Sequence, residues 1–150
     1  MIAPDANVLL YAFREDSRRH AEYHAWLQDA LNGTETVALF EPVLSAVLRI
    51  ATHPGIFKPP SPRTAVEEFL DTCLAAPAAK PVGAEAGHWA IFRDLCTKAD
   101  CRGNLIQDAY LAAMALEHSC TFVTTDDHYA RFPRLRWRHP LPTDEGPARN

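Results

Sequence analysis

Four carboxylates stand where short apolar stretches end or where a helix has just begun. Asp5 closes the stretch from Ile2, Glu41 follows Val37 to Phe40, and Asp126 follows Phe122 to Thr125. Asp108 lies in the first turns of a helical pattern, beside its apolar stripe. Carboxylates gathered in one place repel one another and raise one another's pKa values. A fold keeps such a group mainly when a divalent cation neutralises it, and oxygen-only ligation suits Mg²⁺ or Mn²⁺. Such an ion keeps positions for a phosphate oxygen and a water, so the implied chemistry is metal-assisted phosphodiester hydrolysis. Taken singly, three of the acids have a simpler reading: Asp5 and Asp126 as caps, Glu41 as a first-turn acid. Capping does not account for Asp108, an acid against the buried face of a helix, which needs a partner.

The elements that must position these acids alternate. Ile2 to Asp5 reads as a strand, and the apolar run Val8 to Phe13 suits either its continuation or a helix. Ser17 is placed to cap a helix from about Arg18 to Leu31, stopped by Asn32-Gly33. Val37 to Phe40 reads as a strand, and Glu41-Pro42 opens a helix in which proline at the second position loses no needed hydrogen bond. The proline-rich segment His53 to Arg63 is a loop leading to a helix through Leu74, followed by a break and a short edge strand near Val82. Glu85 to Ala99 and Asn104 to about His118 read as helices, the second carrying Leu105, Ala109, Ala112 and Leu116 on one stripe. Cys120 to Thr124 is a buried strand, and Arg134 to Arg138 is a candidate last strand. Short strands alternating with helices predict an α/β fold with a mostly parallel sheet, in which ligands collect beyond the carboxyl ends of the strands.

The chain of 150 residues, 47% hydrophobic and 23% charged, suits one domain with a core that needs no staples. A net charge of −4 disfavours a protein that coats nucleic acid by broad phosphate neutralisation. No apolar run is long enough for a membrane span, and the start has no basic-then-apolar leader, so a cytoplasmic protein is expected. Cys73, Cys96, Cys101 and Cys120 form no C-x-x-C pair and read as reduced thiols. His20 and His24 are spaced for one helix face but lack the H-E-x-x-H pattern, and are read as structural or surface residues. There is no glycine-rich phosphate loop and no G-x-S-x-G elbow.

Four blocks in order resemble the PIN-domain ribonucleases: Asp5-Ala6-Asn7-Val8-Leu9; Glu41 opening its helix; Asp108-Ala109-Tyr110-Leu111-Ala112-Ala113; and Thr124-Thr125-Asp126 followed by Tyr129-Ala130-Arg131-Phe132. Thr52-His53-Pro54 with Phe57, Gly103-Asn104-Leu105 and Leu135-Arg136-Trp137 resemble more narrowly the VapC toxins of bacterial toxin–antitoxin pairs. The resemblance spans residues 1–140 as a PIN domain and leaves 141–150 as a flexible tail. It implies a three-layer α/β/α sandwich, Mg²⁺ (or Mn²⁺) bound by Asp5 and Asp108, and Glu41 and Asp126 completing the acidic site. It also implies RNA as substrate, with a tRNA or a ribosomal RNA loop foremost, a VapB-type antitoxin and a homodimer. Two departures stand out: His128 occupies the place where many relatives carry a further acid, and Pro4 precedes Asp5 directly.

Around this site Asn7 is placed to hydrogen-bond a site carboxylate, and Thr124 and Thr125 to support Asp126; a turn amide and ordinary strand threonines are the plainer alternatives. Arg14, Arg18 and Arg19 follow the first acid, and Arg131, Arg134, Arg136 and Arg138 follow the last, beside Phe132 and Trp137. Such a mixture suits phosphates and unpaired bases, and Arg131, Arg134 and Arg136 are the candidates to touch RNA. Arg49, in the helix after Glu41, has two destinations open: a site acid or solvent. Leu31, Leu44, Leu48, Phe69 and Trp89 exceed what one core needs and could serve a dimer or an antitoxin helix. Two other readings remain: a PIN nuclease of general RNA processing without an antitoxin, and a non-catalytic PIN-fold binding module.

Overall fold

The computed structural model describes residues 1–143. Five strands form one sheet: β1 (Ile2–Pro4), β2 (Val37–Phe40), β3 (Ala79–Val82), β4 (Thr121–Val123) and β5 (Trp137–Arg138). The order is β3-β2-β1-β4-β5 and every pairing is parallel. The helices are α1 (Ala6–Phe13), α2 (His20–Leu31), α3 (Glu41–Ala51), α4 (Arg63–Leu74), α5 (His88–Lys98) and α6 (Asn104–Glu117), with a 3₁₀ turn at Asp127–Arg131. Helix α1 packs on α2 and α3, α3 packs on α4, and α5 pairs with α6. The result is the three-layer α/β/α sandwich expected. Buried on both faces, β2 reads Val-Ala-Leu-Phe without alternation, as a central parallel strand should.

Strand order decides where a site can lie. The chain builds outward from β1 through β2 to β3, then crosses back to place β4 on the other side of β1. The carboxyl ends of β1 and β4 therefore flank a topological switch point, the usual crevice for ligands in open α/β sheets.

Several boundaries differ from the sequence pattern for local reasons. The run Val8 to Phe13 is helix, because the Asp5 carboxylate accepts from the Ala6 N–H at 2.7 Å and turns the chain at once. Helix α2 starts at His20 rather than Arg18, and Ser17 caps nothing with its side chain; its carbonyl accepts from the His20 N–H. Residue Arg19 takes the cap position in the left-handed region, at φ 58°. Gly103, at φ 58° and ψ −127°, occupies backbone space reserved for glycine and starts α6 at the expected place. Of the tail, Leu141 packs against the core and the Pro142 carbonyl accepts from Arg19; residues 144–150 lie outside the described residues. Among the described residues, no helix is long and apolar enough to cross a membrane.

Arg14 does not belong to the basic rim expected of it. It is only 9% exposed, donates to both oxygens of Asp16 (2.9 and 2.7 Å) and to the Ser61 hydroxyl (2.9 Å), and lies 3.9 Å over the Phe57 ring. It thereby fastens the proline-rich loop to the end of α1. Removing this clamp strands several polar groups and one ring face. Arg14→Ala is expected to lower stability by about 1–3 kcal/mol in urea unfolding. Arg14→Lys should recover only part, because an ammonium lacks the planar fork.

Candidate active site

The site follows from register. Pro4 lies opposite Val123, so the next residues, Asp5 and Thr124, come level where β1 and β4 end. The Asp5 N–H completes the ladder on the Val123 carbonyl at 2.8 Å, leaving its side chain beyond the sheet. There the carboxylate is 7% exposed and fully engaged. One oxygen takes the Ala6 N–H; the other accepts from the Thr124 hydroxyl at 2.7 Å and the Asn7 amide at 3.2 Å. Asn7 also donates to the Thr124 oxygen, and its own carbonyl accepts from the Thr125 N–H.

Asn7 thus donates to the carboxylate at the end of β1. The threonine hydroxyl on Asp5 belongs to Thr124, whereas Thr125 contributes backbone only. The alternation of a strand explains this: Thr124 extends β4 with its side chain on the Asp5 side, and the next side chain points away.

Asp126 follows, bent back so that one oxygen caps the 3₁₀ turn at the His128 N–H (2.9 Å), with the His128 ring nitrogen 3.1 Å from the same oxygen. Asp108 reaches in from α6, where the Tyr129 hydroxyl donates to it at 3.4 Å. Asp5, Asp108 and Asp126 line one cavity of about 390 Å³, together with Arg49, Gln107 and Tyr129. The second oxygens of Asp108 and Asp126 make no hydrogen bond with a described residue.

Glu41 stands apart from these three. It opens α3 one residue past β2 as expected, but its carboxylate leans on Gly83, so closely that a Cβ there would meet an oxygen at 3.0 Å. Register is again the cause: Phe40 pairs with Val82, which sets Glu41 beside Gly83, toward the β3 edge.

The arginine candidates separate too. Arg131 binds the His128 carbonyl and its charge acts on Asp108. Arg136 sits before β5, where it donates to the Ser119 carbonyl ahead of β4, and Arg134 pairs with Asp94 of α5. Because β4 and β5 are parallel, the segment entering β5 lies at the amino end of the sheet, opposite the acids. Arg134 and Arg136 are therefore not placed at the site.

Electrostatics match this crowding. Burial holds the Asp5 carboxyl above the usual range, with Asp108 and Asp126 adding repulsion against the Thr124 and Ala6 hydrogen bonds. Burial, then Asp126, raises Asp108, while Tyr129, Arg131 and His128 oppose the rise. Tyr129, 2% exposed, is pushed far upward by burial and by all three aspartates, so it remains a neutral donor. Among the described residues, no three His, Cys, Asp or Glu side chains form a ready-made metal cage. The donor set nonetheless fits a hard divalent ion of the Mg²⁺ kind, which takes one or two carboxylates and keeps its waters.

A family model for the PIN domain matches residues 2–135. Ribonuclease VapC43 of Mycobacterium tuberculosis is 43% identical over 141 residues, covering 94% of this chain and 96% of that protein. The chain belongs to the VapC ribonucleases of the PIN-domain family. Ribonuclease VapC37 of the same organism is 39% identical over 136 residues, 91% of this chain and 94% of that one. Among solved structures, VapBC2 from Rickettsia felis bound to a promoter DNA fragment superposes with TM-score 0.70 at 19% identity, covering 93% and 98% of the two chains. The sandwich described above is thus the VapC fold.

Two raised carboxyls give this VapC chain a pH signature. A carboxyl that binds its proton more tightly folded than unfolded contributes stability at pH below its folded pKa, and that contribution is lost as pH rises through it. In metal-free protein, Asp108→Asn removes one such group and its repulsion on Asp5. Its melting temperature at neutral pH is expected to exceed the parent's by about 2–4 °C. The gap should close on acidification toward the ordinary carboxylate range, which a melting series across pH would reveal.

Proposed function

We propose that this chain is a Mg²⁺-dependent endoribonuclease (Mn²⁺ serving as well) and the toxin of a VapBC pair. The observation that carries the reading is the meeting of Asp5, Asp108 and Asp126, from three separate elements, in one cavity at the switch point of the sheet. The relatives named as VapC ribonucleases support RNA as the substrate.

Asp5 and Asp108 are the residues that would hold the ion. When bound, it polarises the scissile phosphate and lowers the pKa of a coordinated water. The chain's own groups do the rest. Asn7 and Thr124 fix one Asp5 oxygen and the Ala6 N–H the other, so the carboxylate need not reorganise as charge develops. Asp126 turns its second oxygen to the attacking water and accepts its proton. Glu41 acts from farther out, through water, at the β2 end of the cavity. Arg131 remains as an RNA contact on the Asp108 side. The water oxygen bonds to phosphorus, one ester P–O bond breaks, and the departing oxygen takes a proton from solvent water, to which Asp126 returns the one it accepted.

The groove between α2 and α4, about 460 Å³ and lined by Leu27, Leu31, Phe69 and Cys73, is the proposed seat of a VapB-type antitoxin helix. Trp89, 64% exposed on α5, gives a homodimer an anchor. Four free cysteines suit the reducing cytoplasm.

The decisive experiment compares purified wild type with Asp5→Ala and Asp108→Ala on RNA, with and without Mg²⁺. Each variant should lose cleavage by about a thousandfold or more, and chelation of the wild type should do the same. Glu41→Gln should lose less than either. Equal cleavage by the Asp5 and Asp108 variants would reject the proposed site.

A further inference from the structure

We infer that Arg49 is a substrate-binding residue of this site, the fork that grips the scissile phosphodiester. The inference rests on the ribonuclease reading above. Helix α3 forms one wall of the cavity, and Pro42, Ser45 and Arg49 succeed one another along that wall at three- and four-residue spacing. Among the described residues, Arg49 is the one cation lining a cavity otherwise marked by three aspartates.

An arginine so close to carboxylates normally spends its charge on them. The cations that act on Asp108 are Arg131 and His128. The Arg49 guanidinium makes no ion pair and no hydrogen bond with any described residue, and the residue is exposed. The contrast with Arg14, Arg134 and Arg136 is direct, since each of those is bound to a protein acceptor. A guanidinium held at the rim of an acidic cavity, uncommitted to its acids, suits an anion that arrives from outside. A phosphodiester fits best: it presents two non-bridging oxygens in one plane, the geometry that an arginine fork matches with two parallel hydrogen bonds. Charge on those oxygens grows as the attacking water bonds to phosphorus, so the fork binds more tightly in the transition state than in the ground state. The Ser45 hydroxyl, one turn earlier on the same wall, is positioned for the adjoining phosphate oxygen.

The test uses the full chain and a short unstructured RNA. Arg49→Ala should lower kcat/KM about a hundredfold, with Arg49→Lys intermediate because it keeps the charge and loses the fork. In an Asp108→Ala background, which binds without cutting, Arg49→Ala should weaken RNA binding. It should also reduce the slope of log Kd against log salt by about 0.7, the loss of one phosphate contact on a single strand. Mn²⁺ affinity measured by isothermal titration on the Arg49→Ala chain should match the wild type, which shows that the carboxylates stand undisturbed. Arg63→Ala, on exposed α4 away from the cavity, is the control for net charge. Wild-type cleavage with unchanged kcat/KM and salt slope in Arg49→Ala overturns this inference alone. An equal change of slope in Arg63→Ala also overturns it. A wild-type chain that cuts no RNA overturns the ribonuclease reading, and this inference falls with it.

Discussion

Three aspartates crowd the mouth formed by β1, β4 and α6, and their mutual repulsion sets the terms for everything around them. Burial already disfavours the charge on Asp5, and Asp108 and Asp126 disfavour it further. The fold does not relieve the strain by moving the acids apart, because two of them hold backbone N–H groups. Asp5 caps α1 while its own N–H completes the sheet ladder; Asp126 caps the 3₁₀ turn. It relieves it instead with donors: Thr124 and Asn7 on Asp5, Tyr129 on Asp108. These hydrogen bonds blunt the cost without cancelling the charge, and the carboxyls of Asp5 and Asp108 stay above the usual range. Stability given up at such a place is the common cost of a working site.

Charge elsewhere is distributed to suit that pocket. A chain of net charge −4 cannot hold RNA by a general positive field. Two cations stand at the carboxyl end of the sheet, Arg131 acting on Asp108 and Arg49 on the α3 wall. Arginines that look equivalent in sequence are employed otherwise: Arg14 clamps a loop, Arg136 ties off the segment that enters β5. Proximity along the chain is a poor guide here because a parallel sheet sends the chain back across its whole height before each strand.

That geometry also explains what could be read from the sequence. The helices and strands were legible because apolar periodicity and caps are local: Val37 to Phe40, Glu41-Pro42 and Gly103-Asn104 fall at the expected boundaries. Three of the acids were legible because they end strands or face a buried stripe. Register was not legible, since it depends on pairing between strands far apart in sequence. Register places Thr124, not Thr125, against Asp5, and turns Glu41 toward Gly83. Ser17 misled for a related reason: the Arg14–Asp16 clamp, fixed by contact with Ser61 and Phe57, holds the turn that delays α2. Asp5 and Asp126 are caps and also line the cavity. A carboxylate has two oxygens, and in each residue the cap occupies one of them.

Tyr129 joins the core to the chemistry. Its ring lies 4.8 Å from Phe122 and 5.8 Å from Phe132, and Phe122 stacks in turn on Phe40 of β2, so an aromatic row runs from the sheet to the 3₁₀ turn. The hydroxyl at the end of this row reaches Asp108, while the backbone of the same turn is capped by Asp126. Two of the three aspartates are therefore located by one buried side chain and the turn that carries it. This gives a physical reason for the alternation Tyr129-Ala130-Arg131-Phe132: the two aromatics anchor inward, and Arg131 is left on the outer side, where its charge bears on Asp108. Burial pushes the Tyr129 hydroxyl upward, so it stands as a neutral donor to Asp108. Its contribution is to keep the Asp108 carboxylate at a fixed place beside Asp5 and Asp126 in the one cavity.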